Sequence, residues 1–375
     1  LVPRLCFGQK VFFLRCAFLL LFINMSPNTK KPTIALIKPP IVGHLQRGIG
    51  MYVKNLYEEL QKSSEVSVTF TTIEQMTAET SLVHMPYFDP FFLTLPTLTL
   101  PFIVTIHDLI PLKFPKHFPK GVRGSVKWYV QRYRARQASA ILTDSLVSKN
   151  DITTLMSIDS QKIYPVHLAA HQVFEKIGDS KQKEKIRQKY NLPQKFVLYV
   201  GDVNWNKNVP GLISSIEKLN IPLVMVSQTL KNTVNGDHPV QKGIRLLQES
   251  IAGNKNFLVY DQIPQNDLVM FYNLATLMVL PSYYEGFGLP IVEAFACACP
   301  VVCSTEGSLP EVAGGAARLI NPYDIGELTK AIDQMYSSVV LQNEYSKKGL
   351  LRAKGFSWEK TAIQTIDVYK KVLKK

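Results

Sequence analysis

Residues 280–300 constrain the fold of this 375-residue chain more than any other stretch. A short apolar segment ends at Leu280, a turn with two glycines follows, and an apolar run begins after Pro290. Proline is well tolerated in the first turn of a helix, where its missing N–H needs no partner. The glycines let the backbone adopt left-handed conformations and let a ligand approach closely. The stretch therefore predicts a strand, a tight turn and a helix.

Two carboxylates flank the start of this predicted helix. Its first turn offers unpaired N–H groups and the positive end of a dipole to an anion or to sugar hydroxyls. Glu285 lies on the turn, and Glu293 follows within the apolar run, where an ionised carboxylate needs a partner. The spacing alone leaves two interpretations open. Either the carboxylates hold the hydroxyls of a sugar and of a ribose, or Glu285 caps the helix and Glu293 pairs with a distant Lys.

The segment E-G-F-G-L-P-I-V-E, residues 285–293, resembles the signature of the retaining glycosyltransferases of family 4. The resemblance runs from about Thr33 to the C-terminus, in the family's order. It implies the GT-B fold, an α/β architecture in which two doubly wound Rossmann-like domains face each other across a cleft. It also implies that Glu285 grips donor sugar hydroxyls and that Glu293 grips those of the ribose. The backbone N–H groups implied to hold the sugar and the phosphate are those of Gly286, Phe287, Gly288 and Leu289.

Length and composition fit two domains of ordinary size. Hydrophobic residues make up 46% of the chain and charged residues 19%, so substantial cores can form. We predict an N-terminal acceptor-side domain over residues 25–190 and a C-terminal nucleotide-sugar-binding domain over residues 191–356. The resemblance implies that a last helix, within residues 357–375, crosses back to the first domain.

Residues 1–24 lie outside both predicted domains. Residues 11–23 are strongly apolar, but the run is shorter than the roughly 20 residues that a membrane span needs, and Arg15 interrupts it. Two interpretations are open: translation begins at Met25, or the extension acts as a signal or a short membrane anchor. No later segment is long and apolar enough to span a membrane.

The charge of the chain favours an anionic partner. Lys and Arg outnumber Asp and Glu by 43 to 29, a formal charge of +14. Residues 113–136 hold eight Lys or Arg and no acid, interleaved with Trp128, Tyr129 and Tyr133. This composition suits an anionic membrane surface, where each basic residue contributes roughly 1 kcal/mol. The alternative is a solvated helix with an apolar inner face. Nucleic acid is not expected, because no nucleic-acid motif accompanies the stretch.

Cys297 and Cys299 lie at the end of residues 280–300 and Cys303 follows closely, while Cys6 and Cys16 lie in the N-terminal extension. This spacing is not that of a disulfide framework. No His lies nearby, so we expect small core residues there and not a metal site. No cofactor is predicted beyond the nucleotide diphosphate sugar itself.

Two segments of the N-terminal half carry candidate donor contacts. Gly48 and Gly50 belong to a predicted loop after the first strand, and a helical pattern begins near Ile49. The segment resembles the family's glycine loop, which implies contact with the donor phosphates and the acceptor. A plain tight turn is the alternative. His107 follows a buried strand, where ligands of parallel sheets bind, and the block I-H-D-L-I-P implies by resemblance that it lies beside the donor sugar. The alternative is a structural His107 beside a helix-capping Asp108.

The block G-D-V-N-W-N-K-N, residues 201–208, resembles the family's basic diphosphate-binding segment. The resemblance implies that Lys207 neutralises the departing diphosphate. Asn206 stands where Arg is usual, Ala298 stands where glycine is common, and Ser227 with Gln228 replaces another glycine. Because Asn206 lacks the usual charge, the strength of catalysis is left open. Because Ser227 and Gln228 replace a glycine, the contacts to the base are left open.

The resemblance as a whole implies transfer of a sugar, such as mannose, from a nucleotide diphosphate sugar to a hydroxyl of a glycan or lipid-linked acceptor. The anomeric configuration is retained, no metal takes part, and His107, Lys207 and Glu285 are the catalytic residues. The expected location is the cytoplasm, including the inner face of the cell membrane. Three alternatives remain open: an epimerase or phosphorylase on the same fold, a weak or inactive sugar-nucleotide-binding partner, and a membrane or nucleic-acid binder.

Overall fold

The computed structural model describes residues 31–39, 48–232 and 239–374. The extension over residues 1–24, the start at Met25 and the two N-terminal cysteines lie outside the described residues. Within the described ranges, no helix has both the length and the apolar character needed to cross a membrane.

The first domain is built on six short, largely buried strands. They are β1 (Thr33–Ile37), β2 (Ser67–Thr71), β3 (Thr80–Met85), β4 (Phe102–Thr105), β5 (Ala140–Thr143) and β6 (Ile163–Pro165). Its helices are α1 (Gly48–Leu60), α2 (Ile110–Lys113), α3 (Gly121–Arg136) and α4 (Leu146–Met156). All strands are parallel, in the order β2-β1-β3-β4-β5-β6. The chain runs outward from β1 to β2 and then returns to β3, so the sheet is doubly wound.

The second domain repeats this plan. Its strands are β7 (Val197–Val200), β8 (Leu223–Val226), β9 (Phe257–Tyr260), β10 (Leu277–Leu280), β11 (Val301–Ser304) and β12 (Arg318–Ile320). Helices of the C-terminal half are α5 (Ser180–Lys189), α6 (Val209–Leu219), α7 (Gln228–Lys231), α8 (Pro239–Ile251), α9 (Gln265–Leu274), α10 (Leu289–Ala296), α11 (Leu309–Ala313), α12 (Ile325–Ser337) and α13 (Val339–Ala353). The parallel strand order is β12-β11-β10-β7-β8-β9, so the winding reverses between β7 and β10. Ligands of such sheets bind at the carboxyl ends of these two strands.

The last helix, α14 (Trp358–Leu373), packs against α1, β3 and β5 of the first domain. Ser357 caps it by accepting from the Lys360 N–H at 3.1 Å. Tyr369 Oη lies 2.7 Å from Nδ1 of the buried His84. The end of the chain is therefore held by polar as well as apolar contacts inside the first domain.

The structure confirms the predicted architecture of two doubly wound parallel sheets. The division at residues 190 and 191 stays a prediction, and α5, just before it, packs against α9 of the second domain. The predicted helix start near Ile49 is confirmed, since α1 begins at Gly48, but Gly48 and Gly50 belong to the first turn of this helix and not to a loop. Their contact with the donor stays a prediction. Residues 40–47, where a loop would precede them, lie outside the described ranges.

The three C-terminal cysteines are buried and free, as expected for core residues. Cys303 lies on β11, and Cys297 and Cys299 lie between α10 and that strand. Burial raises the pKa of all three thiols, so they are protonated at neutral pH. They pack as small apolar groups.

Candidate active site

The two domains meet where the turn after β10 touches the segment after β4. A Cβ added at Gly286 would lie 2.7 Å from Asp108 Cβ and 2.9 Å from the His107 carbonyl oxygen. No residue other than glycine fits this approach without displacing backbone. The Gly286 carbonyl accepts from the hydroxyls of Ser145 at 2.7 Å and Ser148 at 3.2 Å, both at the start of α4. The E-G-F-G turn of the second domain is thus fixed against the first domain.

Lys207 and Glu285 form a partly buried ion pair. Lys207 Nζ lies 2.7 Å from Oε1 and 2.8 Å from Oε2 of Glu285. Ser282 Oγ donates to Oε1 at 2.7 Å, and Glu285 is only 6% exposed. Glu285 does not cap α10, because the residue at the cap position is Gly288, whose φ is 93°. The sequence predicted separate roles for these two charges but not that they contact each other.

Asn206 replaces the Arg that is usual in the family, and it has a structural role here. The side-chain N–H of Asn206 donates to the main-chain carbonyl of Tyr284 at 3.0 Å. The main-chain carbonyl of Asn206 accepts from the Tyr283 N–H at 2.7 Å. These bonds join the loop that carries Lys207 to the loop that carries Glu285. The substitution therefore supports the ion pair, although it removes one positive charge.

His107 is held by a carboxylate that sequence reasoning missed. Its Nδ1 lies 2.8 Å from Asp144 Oδ2, and the ring of Tyr52 packs edge-on at 4.8 Å. Burial lowers the pKa of His107, but Asp144, with help from Asp108 and the Pro86 carbonyl, outweighs it, so the pKa is raised above its ordinary value. Nε2 makes no hydrogen bond of normal length within the described part of the chain. Asp144 follows β5 as His107 follows β4, so the rule that located His107 could also have located Asp144.

Glu293 lies on α10 and accepts a hydrogen bond from the Tyr272 hydroxyl at 2.8 Å. Burial raises the pKa of Glu293 to about 7, although the bond from Tyr272 acts in the opposite direction. Among the described residues it forms no ion pair with a Lys. The interpretation in which Glu293 pairs with a distant Lys is therefore wrong.

A cavity of about 490 Å³ lies at the switch point of the second sheet. Four predicted site residues line it: Gly48, Lys207, Leu289 and Glu293. The other predicted residues, His107, Glu285, Gly286, Phe287, Gly288 and Gly50, do not line this cavity. The ring of Phe287 is buried, 5.8 Å from that of His167 and 6.0 Å from that of Phe356, so only its backbone is available to a ligand.

No group of three or more His, Cys, Asp or Glu side chains in the described ranges could hold a metal ion. The positive charge at the cavity comes from Lys207 and from the N-terminus of α10, which begins at Leu289. A helix start and a Lys side chain are suited to phosphate oxygens.

Comparison with known proteins identifies the family. A family model described as glycosyl transferases group 1 matches residues 182–352. O-antigen chain mannosyltransferase B of Escherichia coli is 32% identical over 277 residues, which cover 72% of this chain and 70% of that protein. The chain belongs to the group 1 glycosyltransferases. The glycosyltransferase is also 25% identical, over 76% of its length, to the serotype-specific mannosyltransferase WbdA of Escherichia coli, of which it spans 35%.

The fold of this glycosyltransferase is shared with solved structures. Sucrose-phosphate synthase from Thermosynechococcus elongatus superimposes with a TM-score of 0.72 at 19% identity, over 91% of this chain and 99% of that one. The likeness confirms the predicted GT-B fold. Family membership makes the chain an enzyme that transfers sugar from a nucleotide sugar donor to a glycan acceptor. These relatives do not favour the epimerase and inactive-partner alternatives.

Proposed function

We propose that this glycosyltransferase transfers mannose from a nucleotide diphosphate mannose to a hydroxyl of a growing glycan or lipid-linked acceptor, with retention at the anomeric carbon. The 32% identity to a protein named as a mannosyltransferase supports the sugar. The partly buried Lys207–Glu285 pair carries the proposal, because it places a cation and a carboxylate beside the turn that contacts His107.

In this proposal, each member of the pair gains a second partner when the donor binds. Lys207 contacts the diphosphate and Glu285 accepts from sugar hydroxyls, while Ser282 keeps Oε1 bonded. Removing one partner of a buried pair would strand the other charge, whereas adding ligand groups does not. Lys207 then stabilises the negative charge that develops on the leaving oxygen.

His107 has the matching role on the first domain. Asp144 binds Nδ1 and keeps the imidazole positively charged to higher pH, next to where the donor sugar would lie. The bond from the anomeric carbon to the diphosphate oxygen breaks, and a bond to the acceptor oxygen forms on the same face. The departing diphosphate oxygen takes the acceptor's proton, so no metal and no separate base is needed.

The test compares Lys207→Ala with Lys330→Ala, a control at an exposed position on α12. Mannosyl transfer from nucleotide diphosphate mannoses would be measured with EDTA present, and the product's anomeric configuration would be read by NMR. We expect Lys207→Ala to lower kcat by about 100- to 1,000-fold, the usual loss for one group that stabilises a developing oxyanion. The control should retain full activity. An active Lys207→Ala variant, or an inverted product, would contradict the mechanism.

A second proposal concerns the surface of α3. Its inner face consists of Gly124, Trp128, Gln131 and Ala135, all buried. Its outer face carries Val122, Val126, Tyr129 and Tyr133, which are 84%, 61%, 67% and 66% exposed. The solvated-helix interpretation accounts for the inner face but not for this outer stripe. We propose that the stripe, with its flanking Lys and Arg, contacts an anionic membrane surface.

Co-sedimentation with vesicles tests this surface. Binding should require anionic lipid, weaken as salt rises, and fall in the double variant Tyr129→Ala, Tyr133→Ala. Leu351→Ala is the matched control, since Leu351 is 71% exposed on α13 of the other domain. Equal binding to zwitterionic vesicles, or an unaffected double variant, would contradict a membrane role.

A further inference from the structure

Tyr284, the residue before Glu285, links the second domain to the first through its hydroxyl group. The hydroxyl donates to Asp151 Oδ2 on α4 at 2.6 Å. It accepts from Lys113 Nζ, at the end of α2, at 2.9 Å. Lys113 Nζ also donates to Asp151 Oδ1 at 2.6 Å. Each member of this cluster therefore bonds the other two, and the tyrosine is the member that the second domain supplies.

The bond between Tyr284 and Asp151 is buried. The two residues are only 6% and 8% exposed. Burial, the bond to Asp151 and the charge of that carboxylate raise the pKa of the Tyr284 hydroxyl well above its ordinary value, so it keeps the proton that it donates. A hydrogen bond to a charged group is stronger than one between neutral groups. Among the contacts of Tyr284, this bond is therefore the one expected to fix the hydroxyl.

The main chain of Tyr284 is held at the other end, beside the ion pair. Its carbonyl accepts from the Asn206 side chain at 3.0 Å, and the next residue, Glu285, bonds Lys207 at 2.7 and 2.8 Å. All these groups belong to the second domain, so they set the place of Glu285 relative to Lys207. The place of Glu285 relative to His107 depends instead on contacts that cross between the domains.

Aromatic contacts that cross between the domains do not involve the hydroxyl. The Phe114 ring lies 5.3 Å from the ring of Tyr284, and Lys113 Nζ lies 4.5 Å from the centre of the same ring. His117 stacks on Trp205 at 3.6 Å. A phenylalanine in place of Tyr284 would keep the ring contacts and leave the stack unchanged. The effect of the hydroxyl on alignment can therefore be separated from the association of the domains.

We propose that Asp151 is a positioning residue for sugar transfer, which acts through the Tyr284 hydroxyl to hold Glu285 in place against His107. The inference rests on the proposed role of Glu285 toward the donor sugar. A misplacement of about 1 Å can lower a reaction rate about 100-fold, so a bond one residue from Glu285 bears on turnover. It does not bear on a nucleoside diphosphate, whose proposed contacts, Lys207 and the start of α10, lie on the second domain.

The test compares Tyr284→Phe with the wild type in turnover and in nucleotide binding. Transfer from guanosine and uridine diphosphate mannoses to a mannose-terminated oligosaccharide would be measured, with donor hydrolysis by water as a readout that needs no acceptor. We expect kcat to fall about 10- to 100-fold, the range for losing one hydrogen bond to a charged group. Isothermal titration should give an unchanged Kd for GDP and UDP.

A double-mutant cycle tests whether the carboxylate acts through the hydroxyl. Asp151→Ala should lower kcat as Tyr284→Phe does, and the double variant should lose no more than the worse single variant, because both remove the same bond. Asp151→Asn keeps an acceptor oxygen and should recover part of the loss. Additive losses in the double variant would contradict a shared role. Should Asp151→Ala not fold, Tyr284→Phe and Asp151→Asn still decide.

Tyr336→Phe is the matched control, since the Tyr336 hydroxyl bonds the Lys195 carbonyl at 3.2 Å within the second domain. It should change neither kcat nor Kd. If Tyr284→Phe lowers the Tm but keeps the wild-type kcat, the bond is structural and the inference is wrong. The proposed function then stands if Lys207→Ala still abolishes transfer. If the wild type neither transfers nor hydrolyses either donor, the proposed function and the inference fail together.

Discussion

Ala298 has the left-handed backbone conformation that the family's usual glycine would adopt freely. Its φ is 61°, in the turn between α10 and β11 where the Cys299 N–H returns to the Ala294 carbonyl at 2.8 Å. A left-handed conformation costs a residue with a Cβ about 1–2 kcal/mol. Glycine at this position would remove that conformational cost, but it would also stabilise the unfolded chain by about 0.4–1 kcal/mol through its greater backbone entropy.

We therefore expect Ala298→Gly to stabilise the protein by about 0.5–1 kcal/mol. Scanning calorimetry would show a raised Tm. The control is Ala294→Gly, inside α10, which should lower the Tm because glycine costs about 1 kcal/mol in a helix interior. A lower Tm for Ala298→Gly would show that the methyl group contributes more by packing than it costs by strain.

The raised pKa of Glu293 predicts that the free energy of unfolding depends on pH, with a sign set by the burial of its carboxyl group. Its folded pKa is about 7, because burial disfavours the charged form. A carboxyl whose folded pKa lies above its unfolded value stabilises the fold when protonated. This contribution is complete below about pH 4.5 and is lost as the pH rises through about 7.

Glu293→Gln should therefore gain stability relative to the wild type as the pH rises from 5.5 to 8.5, by at most about 3 kcal/mol. Urea denaturation at the two pH values, without nucleotide, measures the difference. The same variant should bind nucleotide diphosphate sugars more weakly, since an amide is a poorer acceptor for ribose hydroxyls. A difference that does not change with pH would mean that the carboxyl is ionised in the fold at both values.

At the scale of elements, alternating and continuous apolar patterns predicted the strands well. Segments such as β7 and β10 are continuous apolar runs because both faces of a parallel sheet are covered. The helical pattern predicted that α1 begins near Ile49, one residue from its start at Gly48, but Gly48 and Gly50 were assigned to a loop because glycine does not by itself favour a helix. For α3, the sequence showed basic and aromatic residues together but not which side faced the protein. The buried Trp128 and the exposed Tyr129 are adjacent in sequence, and only packing separates them.

The sequence predicts site residues that directly follow strands. It does not predict which of these side chains contact each other. His107, Glu285 and Lys207 each lie after a strand of a parallel sheet, and the position rule identifies such residues one at a time. That Lys207 bonds Glu285, and that Asp144 bonds His107, depends on the relative placement of loops 37 to 78 residues apart in the chain. Spacing along a sequence carries no information about such distances.

At the scale of the whole molecule, one carboxylate joins the two domains behind the site. Glu311 on α11 accepts from the Leu146 N–H at the start of α4, at 3.1 and 3.0 Å, and lies 2.7 Å from His167 Nε2. Arg352 donates to the Glu311 carbonyl at 2.7 Å and so fixes its backbone. Burial raises the pKa of Glu311, but the bonds from His167 and Leu146 outweigh it, so the pKa is lowered. The contact is therefore complete at neutral pH and is lost only as the pH falls through that lowered value.

This contact determines how closely the first domain approaches the E-G-F-G turn. Ser145, which caps α4, is one of the two residues whose hydroxyls donate to the Gly286 carbonyl. Weakening the contact of Glu311 with α4 should therefore also weaken the contact of α4 with Gly286. His107 and Glu285 would then be less well aligned with each other. Because a hydrogen bond to a charged group contributes about 1.5–3 kcal/mol, replacing the carboxylate should shift the molecule toward separated domains.

We expect Glu311→Gln to lower kcat/KM for sugar transfer by at least about 10-fold, the equivalent of 1.4 kcal/mol. Small-angle X-ray scattering should show a larger radius of gyration at pH 7, with an unchanged circular dichroism spectrum. Glu327→Gln is the matched control, since Glu327 bonds the Asn321 N–H at 3.2 Å entirely within the second domain. It should change neither measurement. If Glu311→Gln also changed neither, the remaining contacts, including the bonds from Ser145 and Ser148 to the Gly286 carbonyl and the packing of α14, would be enough to hold the domains together. The loop bearing Glu285 would then not depend on Glu311 for its position.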